Sequence, residues 1–144
     1  MCANPASGEP LEIVLAEDNP DIALLNRRVL EAEGHSVHVA SDGASTVDAV
    51  RDTAPDLLLL DVEMPRLNGP EVVEQLRTDP STTDQAVVMM TNGEMTHEQE
   101  VKMRRLGVLD ILAKYRFTPR VLADWIRRWR SGKTRDFPAN GKRL

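Results

Sequence analysis

Apolar positions along the chain fall into two alternating rhythms, short continuous runs and longer stretches with helical spacing. Residues 11–16, LEIVLA, form a run that ends at Glu17-Asp18-Asn19-Pro20. Pro20 can open a helix that carries Ile22, Leu25, Val29 and Leu30 on one face. Gly34 stops that helix, residues 36–40 read as a second strand, and Ala44, Val47 and Val50 mark a second helix. Residues 56–60, DLLLL, are apolar at consecutive positions, the pattern of a central parallel strand covered on both faces, and they run straight into Asp61. After the MPRLNG loop the reading continues with a helix over 69–77, a strand over 86–90, a helix over 96–106 and a strand over 108–113. The last helix, 118–130, places Val121, Leu122, Trp125, Ile126 and Trp129 on one stripe and leaves Arg127, Arg128 and Arg130 outside near its C-terminus, where cations favour the dipole.

Five strand-helix units in strict alternation imply an α/β fold, a doubly wound five-stranded parallel sheet with right-handed crossovers and five helices. The expected strand order is 2-1-3-4-5, a flavodoxin-like arrangement. A chain of 144 residues fits one domain. It is expected over 11–130, between a disordered tail at 1–10, rich in Ala, Asn, Pro, Ser and Gly, and a polar, basic tail at 131–144.

Composition narrows the class. Hydrophobic residues make up 41% of the chain and aromatic ones only 3%, so the core must be built from Leu, Val, Ile, Ala and Met. A net charge of -5 argues against nucleic acid as a partner, because affinity for phosphate backbones comes from clustered Lys and Arg. The cations from Arg127 to Arg135 read as a solvated helix end. Cys2 is the sole cysteine, which rules out an internal disulfide. No apolar run approaches the ~20 residues that span a bilayer, and the first ten residues carry no signal-peptide core. A soluble, cytoplasmic protein with no membrane partner is the expectation.

The unusual polar residues all fall at one end of the predicted sheet: Glu17 and Asp18 after the first strand, Asp61 after the third, Thr91 after the fourth and Lys114 after the fifth. In open α/β sheets ligands bind outside the carboxyl ends of the strands, at the switch in strand order. Two carboxylates ~5 Å apart repel by roughly 3 kcal/mol at an effective dielectric of 20, so three in one cleft call for a proton, a cation or both. Mg2+ suits the role, since it binds through one or two carboxylates and keeps waters that a phosphoryl oxygen can replace. Beside such an ion Asp61 can act as a nucleophile toward phosphorus, with Lys114 and the Thr91 hydroxyl stabilising charge on the transferred group. Each residue alone has an ordinary structural reading, as a strand end, a turn or a solvated lysine. Their joint placement is what points to a shared site.

Other motifs carry less. His35 and His38 flank a strand start without a third ligand, which disfavours zinc, and both are expected to be exposed. His97 reads as a solvated residue at a helix start. The SGKT string at 131–134 lacks the upstream glycine of a phosphate loop and follows no strand.

The strings LEIVLAEDNP, DLLLLDVEMPRLNG, VVMMT and LDILAK resemble the receiver domains of response regulators, over about residues 11–130. The resemblance implies a two-component signalling protein whose Asp61 accepts a phosphoryl group from a histidine kinase or phosphotransfer protein. It matches Glu17 and Asp18 to the magnesium-binding acidic pair and Glu63 to the position whose backbone carbonyl completes the metal shell. Thr91 matches the hydroxyl that moves toward the phosphoryl group, and Lys114 the lysine that pairs with it. Two departures stand out. Tyr115 follows the lysine where proline through a cis peptide is usual, and Ile111 takes the place of a common aromatic switch residue.

The expectation is therefore a stand-alone receiver, not a turnover enzyme, that signals to an unidentified downstream protein through its surface; a homodimer stays open. An alternative is an interaction module of the same fold that is never phosphorylated. A haloacid-type phosphatase fits poorly, because such enzymes carry the nucleophile after their first strand in a DxD pattern.

Overall fold

A computed structural model describes residues 9–93, 95–114 and 118–131. The strands are β1 (Glu12–Ala16), β2 (Ser36–Ala40), β3 (Leu57–Asp61), β4 (Val87–Thr91) and β5 (Asp110–Ala113). The helices that alternate with them are α1 (Pro20–Ala32), α2 (Gly43–Thr53), α3 (Gly69–Thr78), α4 (His97–Arg105) and α5 (Pro119–Arg130). The sheet is wholly parallel in the order β2-β1-β3-β4-β5, as expected for the doubly wound, flavodoxin-like class. Most of the expected tails, at 1–8 and 132–144, and the Lys114–Tyr115 peptide lie outside the described residues.

Alternation along the strands divides the core between the two faces of the sheet. Ile13 and Leu15 of β1, with Leu57 and Leu59 of β3, pack beneath α1 and α5 against Leu30, Leu122, Trp125 and Ile126. Val14 and Ala16, with Leu58 and Leu60, face the other way toward Val47, Val50, Val72 and Leu76 of α2 and α3. Every residue of β3 and β4 is buried, which is why DLLLL shows no polar alternation.

Each helix begins at a side chain that satisfies its free amides. Asn19 accepts from the N–H of Asp21 and of Ile22, with Pro20 at the first helical position. Asn68 with Glu71 and Thr96 with Gln99 form reciprocal capping boxes at α3 and α4. The loop after β3 is pinned to the start of α2: a Cβ on Gly43 would sit 1.9 Å from the Leu67 carbonyl oxygen, so only glycine permits this approach.

Several sequence expectations shift. β3 and β4 include Asp61 and Thr91 as their last residues, and β5 starts at Asp110 rather than 108. The buried stripe of α1 is Ala23, Asn26 and Leu30, while Leu25 is 55% exposed. These three are spaced by three and four residues, and Leu25 lies off that line. Ala44 of α2 is likewise exposed, its face being taken by Gly43, Thr46, Val47 and Val50. His35, expected in solvent, is buried and accepts from the Leu11 N–H at Nδ1, 3.1 Å away, whereas His38 and His97 are exposed. No helix among the described residues is long and apolar enough to cross a membrane.

Candidate functional site

β1, β3 and β5 end side by side, or one strand removed, at the same edge, and the residues that follow or close them converge. The Glu17 N–H donates to the Ala40 carbonyl at 3.0 Å, extending the sheet by one residue and turning the side chain inward. Its Oε2 accepts from the Asn19 N–H at 3.2 Å. Asp61 is buried, and its Oδ1 accepts from the Glu63 N–H at 3.1 Å.

Lys114, reaching over from the end of β5, bridges these two carboxylates. Its Nζ donates to Glu17 Oε1 at 2.9 Å and to Asp61 Oδ2 at 3.1 Å. Burial, the largest influence, raises the Glu17 pKa and the charge of Asp61 adds to it, against the hydrogen bond from Lys114. For Lys114 burial opposes the charge most strongly, yet the bonds and charges of Glu17 and Asp61 together outweigh it and hold the ammonium above the ordinary lysine value. One cation thus offsets two nearly inaccessible carboxylates.

Asp18 is exposed at the rim of the cleft. Carboxylate oxygens of Glu17, Asp18 and Asp61 lie within 4.8 Å of one another, a spacing that fits one hard cation with oxygen ligands. This is the only such acidic or His/Cys group among the described residues. Glu63 stands beside it, half-buried, with Oε1 out of contact with water and without a hydrogen-bond partner among the described residues.

Thr91 is placed differently from the other four. It is fully buried and its Oγ1 accepts from the Gly93 N–H at 3.1 Å, while its neighbours Met90 and Asn92 form the cleft wall. Ile111, in the strand position singled out from the sequence, is 0% exposed and packed in the core face that contains Met103 and Val108.

The cleft encloses about 620 Å³ and runs past the carboxylates between α1 and the start of α5, where Ile22, Leu25, Asn26 and Pro119 line it. The sequence reading took Ile22 and Leu25 for core positions and did not single out Asn26 or Pro119. The usable signal was Asn26, an amide in phase with Ala23 and Leu30 on an otherwise apolar helix stripe.

The sequence profile of the response regulator receiver domain matches residues 13–127. This chain belongs to the response regulator receiver domain family. The receiver is similar to the response regulator MprA of Mycobacterium sp. (strain KMS), with 33% identity over 92% of this chain and 54% of that protein. It therefore spans about half the length of the curated relatives it matches. Among solved structures, the signal receiver domain of a signal transduction histidine kinase from Syntrophus aciditrophicus is 28% identical, with a TM-score of 0.73 over 87% of this chain and 93% of that one. The receiver domain of sensor histidine kinase PA1611 from Pseudomonas aeruginosa PAO1, solved with a magnesium ion coordinated in its active site cleft, is 25% identical. Its TM-score is 0.73, over 85% of this chain and 99% of that one. Receiver domains are signalling domains of two-component systems, and histidine kinases are their general kind of partner.

Proposed function

We propose that this receiver accepts a phosphoryl group on Asp61 from the phosphohistidine of a histidine kinase or phosphotransfer protein, in a Mg2+-dependent reaction. The observation that carries the reading is the Lys114 ammonium bonded to both Glu17 and Asp61 inside an acidic cleft. Glu17, Asp18 and Asp61 would hold the ion, with the Glu63 backbone carbonyl as a further ligand; when bound, it supplies positive charge opposite the phosphoryl oxygens.

The chain's own groups do the remaining work. The Glu63 N–H, bonded to Asp61 Oδ1, orients the carboxylate so that Oδ2 is the oxygen offered to phosphorus. Lys114 already touches Oδ2 and would move to an oxygen of the acquired phosphoryl group, keeping charge compensated as the bond forms. The Thr91 hydroxyl, which accepts from Gly93 but still has its proton to give, would leave that amide and donate to the phosphoryl group. Exchange of those partners would alter the loop between β4 and α4. A two-state surface of this kind conveys the signal to a downstream protein.

The test is intact mass with acetyl phosphate. Magnesium should permit a gain of one phosphate, and a chelator or Asp61→Asn should abolish it. No gain in a folded protein would favour the alternative, a receiver-like interaction module; the core-buried Ile111, without an aromatic ring to swing, is the observation on that side.

A further inference from the structure

The two edges of the sheet are finished differently. β5 is buried at every residue, whereas β2, SVHVA, is exposed at Ser36, His38 and Val39 and pairs only with β1 among the described residues. The Ser36 N–H donates to the Leu11 carbonyl at 2.8 Å, and the Ala40 carbonyl accepts from the Glu17 N–H at 3.0 Å. Peptide groups alternate in direction along a strand, so Ser36, His38 and Ala40 turn theirs to β1 while Val37 and Val39 aim theirs at the open side. Such an edge invites a further strand, and proteins that keep it bare place Lys, Pro or an inward charge on it. β2 carries none of these. Val39 is 42% exposed, on the same face of the sheet as Val37, which is buried beneath α1. Along α1, Leu24, Arg27 and Glu31 share one row by their spacing of three and four residues. The ion pair of Glu33 with Arg127 ties the opposite flank of α1 to α5, so this row looks out past β2. Leu24 is 47% exposed there, and Arg27 Nε stands 3.0 Å from Glu31 Oε2.

We propose that this edge is a homodimer interface, in which β2 of a second copy of the chain pairs antiparallel with β2 across a twofold axis. The inference is independent of the chemistry at Asp61. An axis perpendicular to the sheet and passing between the two His38 residues sets Val37 of each copy opposite Val39 of the other. Every outward N–H and carbonyl of the two strands then finds a partner, and the exposed Val39 side chain is covered by a valine. The charges on α1 single out a second copy as the occupant. A twofold axis reverses the row in the partner, so Arg27 of each copy faces Glu31 of the other, and a row that holds both signs is complementary to itself. The two sheets join into one of ten strands, and the acidic cleft, on the opposite flank of α1, stays open.

The experiment is sedimentation equilibrium of the full chain, with disulfide trapping to fix the register. The wild type should show a concentration-dependent dimer, and Val39→Lys, which sets like charges on the paired edge, should raise its dissociation constant about tenfold. Val39→Pro removes an outward N–H without costing β2 a bond to β1 and should act in the same direction, so one variant serves should the other fail to fold. Leu25→Ala, on the far flank of α1, should leave the constant unchanged. In a Cys2→Ser background, His38→Cys treated with oxidised glutathione should form a linked dimer, since residues paired across the axis stand ~4.5 Å apart at Cα. Ser36→Cys should not, because its two copies lie about 13 Å apart along the strands. A monomeric wild type overturns the proposal, whether its edge is bare or filled from within the chain. So does a dimer that Val39→Lys and Val39→Pro leave intact, one that Leu25→Ala weakens as much, or one that His38→Cys does not link.

Discussion

Lys114 Nζ stands 3.1 Å from Asp61 Oδ2 across 53 residues of sequence, with both side chains largely withdrawn from water, at 17% and 3% exposure. The same ammonium is 2.9 Å from Glu17 Oε1. Removing one partner of a buried ion pair leaves the other charge uncompensated, which is far more damaging than loss of a surface pair.

Lys114→Met should therefore destabilise the fold by about 3 kcal/mol in magnesium-free urea unfolding. On the proposed reading magnesium should restore part of that loss, because a cation held by Glu17, Asp18 and Asp61 would replace the missing charge. A loss that magnesium leaves untouched would place the defect in packing rather than in the carboxylates.

Gly69 is the second position where the site rests on close backbone approach. A Cβ there would lie 2.8 Å from the Asp61 carbonyl oxygen and 2.8 Å from Val62 Cα, both of them backbone atoms with little freedom to yield. Gly69→Ala should cost about 2 kcal/mol and displace the end of β3. Thermal unfolding checks the stability, and a weakened beryllofluoride adduct checks the displacement of Asp61.

His35 offers a pH dependence at the far end of the sheet. Its Nδ1 accepts from the Leu11 N–H, so the ring must be neutral there, and a proton on Nδ1 would face that amide. Burial is the main cause of its lowered pKa, the positive charge of Arg130 adds to it, and Glu33 opposes. The unfolded chain thus binds a proton more readily than the native one. This contribution to stability is complete above the ordinary value of 6.5 and is lost as the pH falls below it toward the native pKa. Urea unfolding between pH 8 and pH 5 should show a stability loss that is smaller in His35→Asn.

Asp110 is buried beneath α5, where its Oδ1 accepts from the Ile111 N–H at 3.0 Å and its Oδ2 from Trp125 Nε1 at 3.3 Å. Trp125 in turn stacks on Trp129, with ring centroids 6.0 Å apart. Asp110→Ala would leave buried donors unpaired and should cost about 2 kcal/mol. A change in tryptophan emission of the still-folded variant would locate the effect at this contact.

Much of the architecture was readable because burial on both faces leaves a direct mark on a strand. Residues 57–60 are all leucine, and their flanks place Asp61 at the strand end without any knowledge of contacts. Helix phase was harder. Periodicity marked Leu25 as a core residue, but α1 lies on the sheet through Ala23, Asn26 and Leu30, and Leu25 is left at the mouth of the cleft. His35 misled too: a histidine at a strand start was expected in solvent, whereas Leu11, just ahead of β1, donates its N–H to the buried ring.

Strand order, the edge at which acidic and basic residues gather and the apolar faces were written into the order of residues, because parallel strands buried on both sides admit few arrangements. Which groups touch was decided only by folding. The bridging of Glu17 and Asp61 by one ammonium, and the place of Asn26 on the cleft wall, depend on the relative seating of β1, β3, β5 and α1. Local pattern sets the direction of a side chain within its own element, but a contact between elements depends on how they pack, and no single segment carries that information.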